Sequence, residues 1–140
     1  MNMIEEEKIP SLICGFLDPI CEDGDVVRGF LPETWRDGFA SLRMTGGPDT
    51  VRSYVDGSGI IALTFEIRVR CEGEDVGDRL DVLEFYKKIA DHVRGNMINL
   101  GGREGKIVVR SNASKSAVFS SGEEEYRAAY VLRYFRGNEN

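Results

Sequence analysis

The chain has 140 residues, enough for one domain built around one hydrophobic core. Apolar residues are 41% of it and charged residues 30%, a balance that excludes a disordered chain. A net charge of −6 with a pI near 4.9 disfavours a clamp on nucleic-acid phosphates, and no apolar run reaches the roughly 18–20 residues that span a bilayer.

At the N-terminus Glu5, Glu6 and Glu7 stand where a secretory signal needs positive charge, so the chain is expected to stay in a cytoplasm. Residues 1–25 hold seven acids against one base, while the remainder holds 17 of each, which describes an acidic N-terminal segment on a neutral body. Ile9, Leu12, Ile13, Phe16 and Leu17 follow helical spacing behind an early Pro10, and Asp18-Pro19 discourages continuation. A short helix is predicted from about Pro10 to Leu17. The stretch Cys21 to Asp37 is rich in Gly, Pro and Asp and reads as a connection with a short element around Val26 to Phe30. A strand follows, ending near Met44, with a turn at Thr45-Gly46-Gly47-Pro48-Asp49.

Val51–Val55 and Ile60–Cys71 flank Asp56-Gly57-Ser58-Gly59 and predict a long β-hairpin. In its second arm Ile61, Leu63, Phe65, Ile67, Val69 and Cys71 alternate with Ala62, Thr64, Glu66, Arg68 and Arg70, one buried face and one wet face. Pairing Val55 with Ile60, or with Ile61 through a bulge, are both open registers. Val82, Leu83, Tyr86, Ile89, Ala90 and Val93 form the stripe of an amphipathic helix, with Asp78 as its N-cap and Gly95 as its stop. Strands are then expected at Ile107–Arg110, at Ala117–Ser120 and at Tyr126–Phe135. The order predicts a single α+β domain over residues 1–140: a mainly antiparallel sheet with a long hairpin, packed on one face by two helices.

Sites of chemistry are sparse. His92, the only histidine, lies off the stripe and reads as a solvated helix residue. Cys14, Cys21 and Cys71 are odd in number and lack a CxxC pair, so buried reduced thiols are expected and a Cys71–His92 dyad is not. Gly101-Gly102-Arg103-Glu104-Gly105-Lys106 fails as a phosphate loop, because Ile107 replaces the hydroxyl residue and a strand follows. Glu22, Asp23 and Asp25 lack the distal glutamate of a calcium loop. No catalytic, cofactor-binding or metal-binding residue is therefore assigned, no cofactor is expected, and the chain is read as a non-enzymatic protein that works through its surfaces.

Ser41-Leu42-Arg43-Met44 before a Gly-Pro turn, Val51-Arg52-Ser53-Tyr54-Val55-Asp56-Gly57-Ser58, Leu83-Glu84-Phe85-Tyr86-Lys87-Lys88-Ile89-Ala90-Asp91 and Tyr130-Val131-Leu132-Arg133-Tyr134-Phe135 occur in one order along the chain. In that order and spacing the chain resembles short phage and prophage morphogenesis proteins, the minor capsid or tail terminator family of long, non-contractile-tailed phages. His92 departs from the family's usual aromatic, and Asn99-Leu100 from its Leu-Pro. The resemblance implies a tail-terminator-like fold and a structural virion assembly protein. Such a subunit forms a homo-oligomeric ring, expected to be a hexamer, that caps the tail tube protein and joins a head-tail connector protein. It would reside in the virion, at the tail or head-tail junction, after assembly in the host bacterial cytoplasm. The alternatives are a head-side connector or minor capsid component, and a small ligand-binding or enzymatic α+β domain with a pocket near His92, Tyr86 or Glu22 to Asp25.

Candidate oligomer and partner contacts are Tyr54 on the first arm of the hairpin, Asp56, Gly57 and Ser58 in its tip Asp56 to Gly59, and Glu66, Arg68 and Arg70 on its wet face. Neither sequence-specific nucleic acid nor a membrane is expected as a partner. Any surface lining a ring's lumen is expected to lack a continuous Arg/Lys band, so that a polyanion can slide past it.

Overall fold

A computed structural model describes residues 6–21, 27–36, 38–72 and 76–137. A 3₁₀ turn, Glu6–Lys8, leads into α1, Ile9–Leu17, with Pro10 in its first turn, where its missing N–H costs nothing. A second 3₁₀ turn, Asp18–Cys21, ends the segment. Ile9, Ile13 and Leu17 are completely buried, so this part of the acidic N-terminal segment belongs to the core and is not a detached arm. The Glu22, Asp23 and Asp25 cluster lies outside the described residues.

Six strands follow: β1 Phe30–Pro32, β2 Ala40–Ser53, β3 Gly59–Glu72, β4 Ile98–Asn99, β5 Glu104–Val118 and β6 Glu123–Arg136. Between β3 and β4 runs α2, Val76–Gly95. The sheet order is β1-β2-β3-β6-β5-β4, antiparallel throughout except for the short parallel pairing of β1 with β2. The fold is therefore α+β, with a mainly antiparallel sheet, and α1 and α2 pack against its strands. No helix among the described residues is long and apolar enough to cross a membrane.

The period-2 pattern of β3 sets the inner face. Ile61, Leu63, Phe65, Ile67, Val69 and Cys71 are all buried, and they pair with β6 from Gly59↔Arg136 to Glu72↔Glu123 without a break. Tyr126, Ala128, Tyr130, Leu132 and Tyr134 of β6 complete the same face. Against it α2 lays Val82, Phe85, Tyr86, Ile89 and Val93. The buried Tyr86 hydroxyl donates to the Ile67 carbonyl at 2.7 Å and lies 3.0 Å from that of Tyr126, pinning the helix across β3 and β6. The exposed C-terminal carbonyls of α2 are met by Lys106, whose Nζ donates to those of Val93 and Arg94 at 2.8 Å each.

Several sequence expectations need correction. The run Gly46-Gly47-Pro48-Asp49 does not end a strand: β2 continues through it as a bulge. The bulge explains the glycines, since a Cβ on Gly47 would lie 2.5 Å from the Ala62 carbonyl oxygen and one on Gly46 2.7 Å from the Thr64 hydroxyl. The hairpin register is neither of the two considered: Ser53 pairs with Gly59, Arg52 with Ile60 and Thr50 with Ile61, leaving Tyr54 to Ser58 as the loop. The two strands expected at Ile107–Arg110 and Ala117–Ser120 are one strand, β5, interrupted by irregularities between Val109 and Ala117 that break its alternation. Helix α2 starts at Val76, so Asp78 lies inside it instead of capping it. Its stripe includes Phe85, while Leu83 is 45% exposed.

Candidate assembly surface

At the hairpin tip, Tyr54 donates its backbone N–H to the Ser58 carbonyl at 2.8 Å, and Gly57 donates to the Tyr54 carbonyl at 3.1 Å. Gly57 adopts φ 89°, a conformation that glycine accepts without a Cβ clash. The Asp56 carboxylate accepts from the Ser58 backbone N–H at 3.0 Å and from its hydroxyl at 2.5 Å, and these bonds hold its pKa below the ordinary aspartate value. The loop is thus internally built, and it presents apolar surface: Tyr54 is 43% exposed, Val51 is half exposed and Val55 fully exposed. The Tyr54 ring lies 6.5 Å from that of Phe135 on β6, itself exposed.

The outer face of the sheet is less wet than its sequence pattern implies. Glu66 is only 8% exposed. It accepts from Arg68 Nε at 2.8 Å and pairs with Arg127 Nη1 at 3.8 Å, and Arg43 stands beside it in the register Arg43↔Glu66↔Ala129. Arg70 pairs with Glu125 at 3.7 Å, and its guanidinium stacks over the rings of Trp35 at 4.1 Å and Phe119 at 4.5 Å. Acids thus punctuate the arginines of this face. Glu66, Arg68 and Arg70, expected as exposed contacts, are largely committed to partners within the sheet.

The two sides of the sheet are left open. β1 covers β2 only as far as Leu42, and the Glu33 carboxylate accepts from the Met44 N–H at 2.9 Å. From Thr45 to Ser53 the outer edge of β2 has no strand partner among the described residues. On the far side β4 covers only Glu104 and Gly105, so the edge of β5 from Lys106 to Val118 is open in the same sense. Open edges can pair with another chain, and the bulges that interrupt both of these segments restrict such pairing to the stretches between them. Beside the irregular part of β5, between it and α2, lies a groove of about 310 Å³ lined by Leu83, Tyr86, Lys87, Ala90, Val109, Ala113 and Tyr130 among others.

A pocket near His92 and Tyr86 was the mark of a ligand-binding domain. The Tyr86 ring lines the groove, but its hydroxyl is spent on the sheet and burial pushes its pKa well above the usual tyrosine value. His92 is half-buried between the helices, its Nε2 3.0 Å from the Phe16 carbonyl oxygen and its ring 4.6 Å from that of Phe16. This interhelical contact corrects the solvated reading; nothing local in the sequence signals a neighbour so far back. Cys71 pairs across the sheet with Glu124, which Arg79 in the first turns of α2 also reaches, so Cys71 and His92 flank opposite ends of that helix. None of the three cysteines forms a disulfide, and all three are buried. Burial, reinforced by Asp18, pushes the thiol of Cys14 up to about 12 and that of Cys21 up to about 11. Among the described residues no three His, Cys, Asp or Glu side chains gather as a metal ion requires.

Sequence reasoning missed Glu124. Its carboxylate accepts from Lys115 Nζ at 2.6 Å and Arg79 Nε at 2.8 Å, tying β5 and α2 to β6. These bonds, Lys115 first, hold its pKa below the ordinary glutamate value of 4.5. A carboxylate whose pKa is lower folded than unfolded stabilises the fold fully above the unfolded value. That contribution drains away as pH falls through 4.5 toward the folded value. Melting temperatures measured from neutral pH downward should fall more steeply in the wild type than in Glu124→Gln, the two curves converging in acid; parallel curves would refute the linkage.

No protein-family model and no curated protein matches the sequence.

Proposed function

We propose that this chain is a structural phage protein, a tail terminator that assembles into a closed ring on the end of the tail tube and helps join the tail to the head. The observation that carries the reading is the pair of long strand edges, β2 beyond Met44 and β5 beyond Gly105, that have no strand partner among the described residues and lie on opposite sides of one sheet. Two different sticky edges on one subunit make a head-to-tail contact, which closes into a ring when the rotation between copies allows. The order of motifs in which the chain resembles the terminator family supports the same reading. A hexamer is the expected ring, the tube protein and the connector protein its expected partners, and the virion its destination.

A ligand-binding role has one observation in its favour, a cleft of about 330 Å³ beside Trp35, Phe39 and Arg70. Of its two arginines, Arg70 is engaged by two aromatic rings and Glu125 and Arg36 lies over the Phe39 ring, which weakens both as recognition groups.

The test is deletion of the gene from the phage or prophage that encodes it, with electron microscopy of the particles. Overlong tube structures and heads without joined tails are expected. Tails of normal length joined to heads would overturn the terminator reading.

A further inference from the structure

Trp35 lines two clefts. In the first, beside Phe39 and Arg70, the arginines are engaged; the second, of about 230 Å³, is lined by Glu33, Trp35, Ser41, Arg43 and Arg68. The register Ser41↔Arg68 and Arg43↔Glu66 sets the strand residues of this second cleft side by side on the outer face of the sheet. Ser41 is only 4% exposed, yet its hydroxyl has no hydrogen-bond partner among the described residues. A polar group so buried ordinarily has one, and the cleft is where one can enter. The Arg43 guanidinium is exposed and likewise has no partner among the described residues. Arg68 spends Nε and Nη2 on one oxygen of Glu66 and leaves Nη1 unused. Glu33, the acid of the cleft, accepts from the Met44 N–H through its Oε1. We propose that this cleft binds the carboxylate of an aspartate or glutamate side chain presented by another chain, with Arg43 and Arg68 as its cations and Ser41 as its hydroxyl donor.

Charge selects this ligand. Arg43, Arg68 and Arg127 stand around Glu66, with Glu33 beside them, three positive groups to two negative, which leaves one positive charge over. A carboxylate cancels that charge, whereas a phosphate group, with about 1.5–2 negative charges, exceeds it. Geometry agrees, because a guanidinium fork meets a carboxylate through two parallel N–H bonds and a hydroxyl can donate a third. The Trp35 indole, 38% exposed, offers a wall for the methylene stem of the incoming side chain. Either a second copy or a different protein can supply such an acid, and the site does not depend on the ring reading.

Trp35 is the only tryptophan of the chain, so its indole N–H gives a single nuclear magnetic resonance signal that reports on the cleft. The test titrates the isotope-labelled full chain with a capped Gly-Glu-Gly peptide, with its Gly-Gln-Gly counterpart and with inorganic phosphate. The glutamate peptide should shift that signal saturably, phosphate should do so more weakly, and the glutamine peptide should not. Arg43→Gln and Ser41→Ala should each weaken the glutamate peptide about ten-fold or more, the worth of a hydrogen bond to a charged group, with the circular dichroism spectrum unchanged. Arg133→Gln, which removes an exposed arginine placed opposite Ala62 on the same face, should leave binding as it is. A shift that also appears on concentrating the protein alone, and is lost in Arg43→Gln, assigns the acid to a second copy; a shift that needs the peptide assigns it to a different protein. An equal response to the glutamine peptide, a preference for phosphate, or a loss in Arg133→Gln as large as in Arg43→Gln overturns the proposal. So does the absence of any saturable shift at tens of millimolar peptide.

Discussion

Phe65→Ala should destabilise the protein by about 3–5 kcal/mol, the usual range for truncating a phenylalanine in a close-packed core. Phe65 is 0% exposed and sits at the middle of β3, the most central position the sheet offers. It pairs in register with Tyr130 of β6, and the two rings stack with centroids 5.2 Å apart and planes 19° apart. That contact adds about 0.5–1.5 kcal/mol to the burial of the ring itself. Neighbours cannot collapse into the space easily, because the unbroken β3–β6 ladder that pairs Phe65 with Tyr130 fixes both backbones. Against a total stability of about 5–15 kcal/mol, the loss removes a large fraction of the fold's margin. Urea denaturation should show a lower midpoint with an unchanged slope. A loss below about 1 kcal/mol would mean that the stacked pair is not the centre of the core.

The second large effect is electrostatic. Removing Arg68 and Arg127 together, as Arg68→Ala with Arg127→Ala, should cost about 3 kcal/mol, because it strands the Glu66 carboxylate at 8% exposure with neither guanidinium it now holds. Each single substitution should cost much less, since the other arginine remains and Arg43 stands opposite in the register. Adding Glu66→Gln to the double variant should recover most of the loss, for a neutral amide is far cheaper to leave in that place than an unpaired charge. The measurement is a thermodynamic cycle over the three residues. Costs that simply add, with no recovery from Glu66→Gln, would show that Glu66 does not organise the face.

The fold was legible wherever the pattern was local and regular. The alternation from Ile61 to Cys71 announced β3 and its buried face, and the stripe from Val82 to Val93 announced α2. Legibility failed where long-range pairing overrides a local signal. Gly46-Gly47-Pro48-Asp49 has the composition of a turn, but Thr45 donates its hydroxyl to that of Thr64 at 3.1 Å, and the strand bulges past β3 instead of leaving it. The irregularities of β5 shift its alternation between Val109 and Ala117, so one strand looked like two. The surface residues were legible as a set but not as a state. Asp56, Gly57 and Ser58 stand in the loop as expected, and Tyr54, expected in the strand, begins it; Glu66 and Arg68 are tied to each other along β3, while the contacts of Glu66 with Arg127 and of Arg70 with Glu125, Trp35 and Phe119 are ones that no spacing rule predicts. The groove was not legible at all, because it exists only where the irregular strand and the edge of α2 stand apart.

The unlike edges of the sheet have a geometric consequence. A contact made by β2 on one side and β5 on the other has a direction, and copies joined that way all point the same way around the circle. Such a ring has no two-fold axis in its plane, so its top and bottom are chemically different surfaces. Every hairpin tip lies toward one of them, and the opposite ends of β3 and β6, with Glu124 and the start of α2, lie toward the other. A ring of the proposed kind would therefore carry two distinct docking platforms back to back, a polarity suited to an adaptor that must bind unlike neighbours above and below.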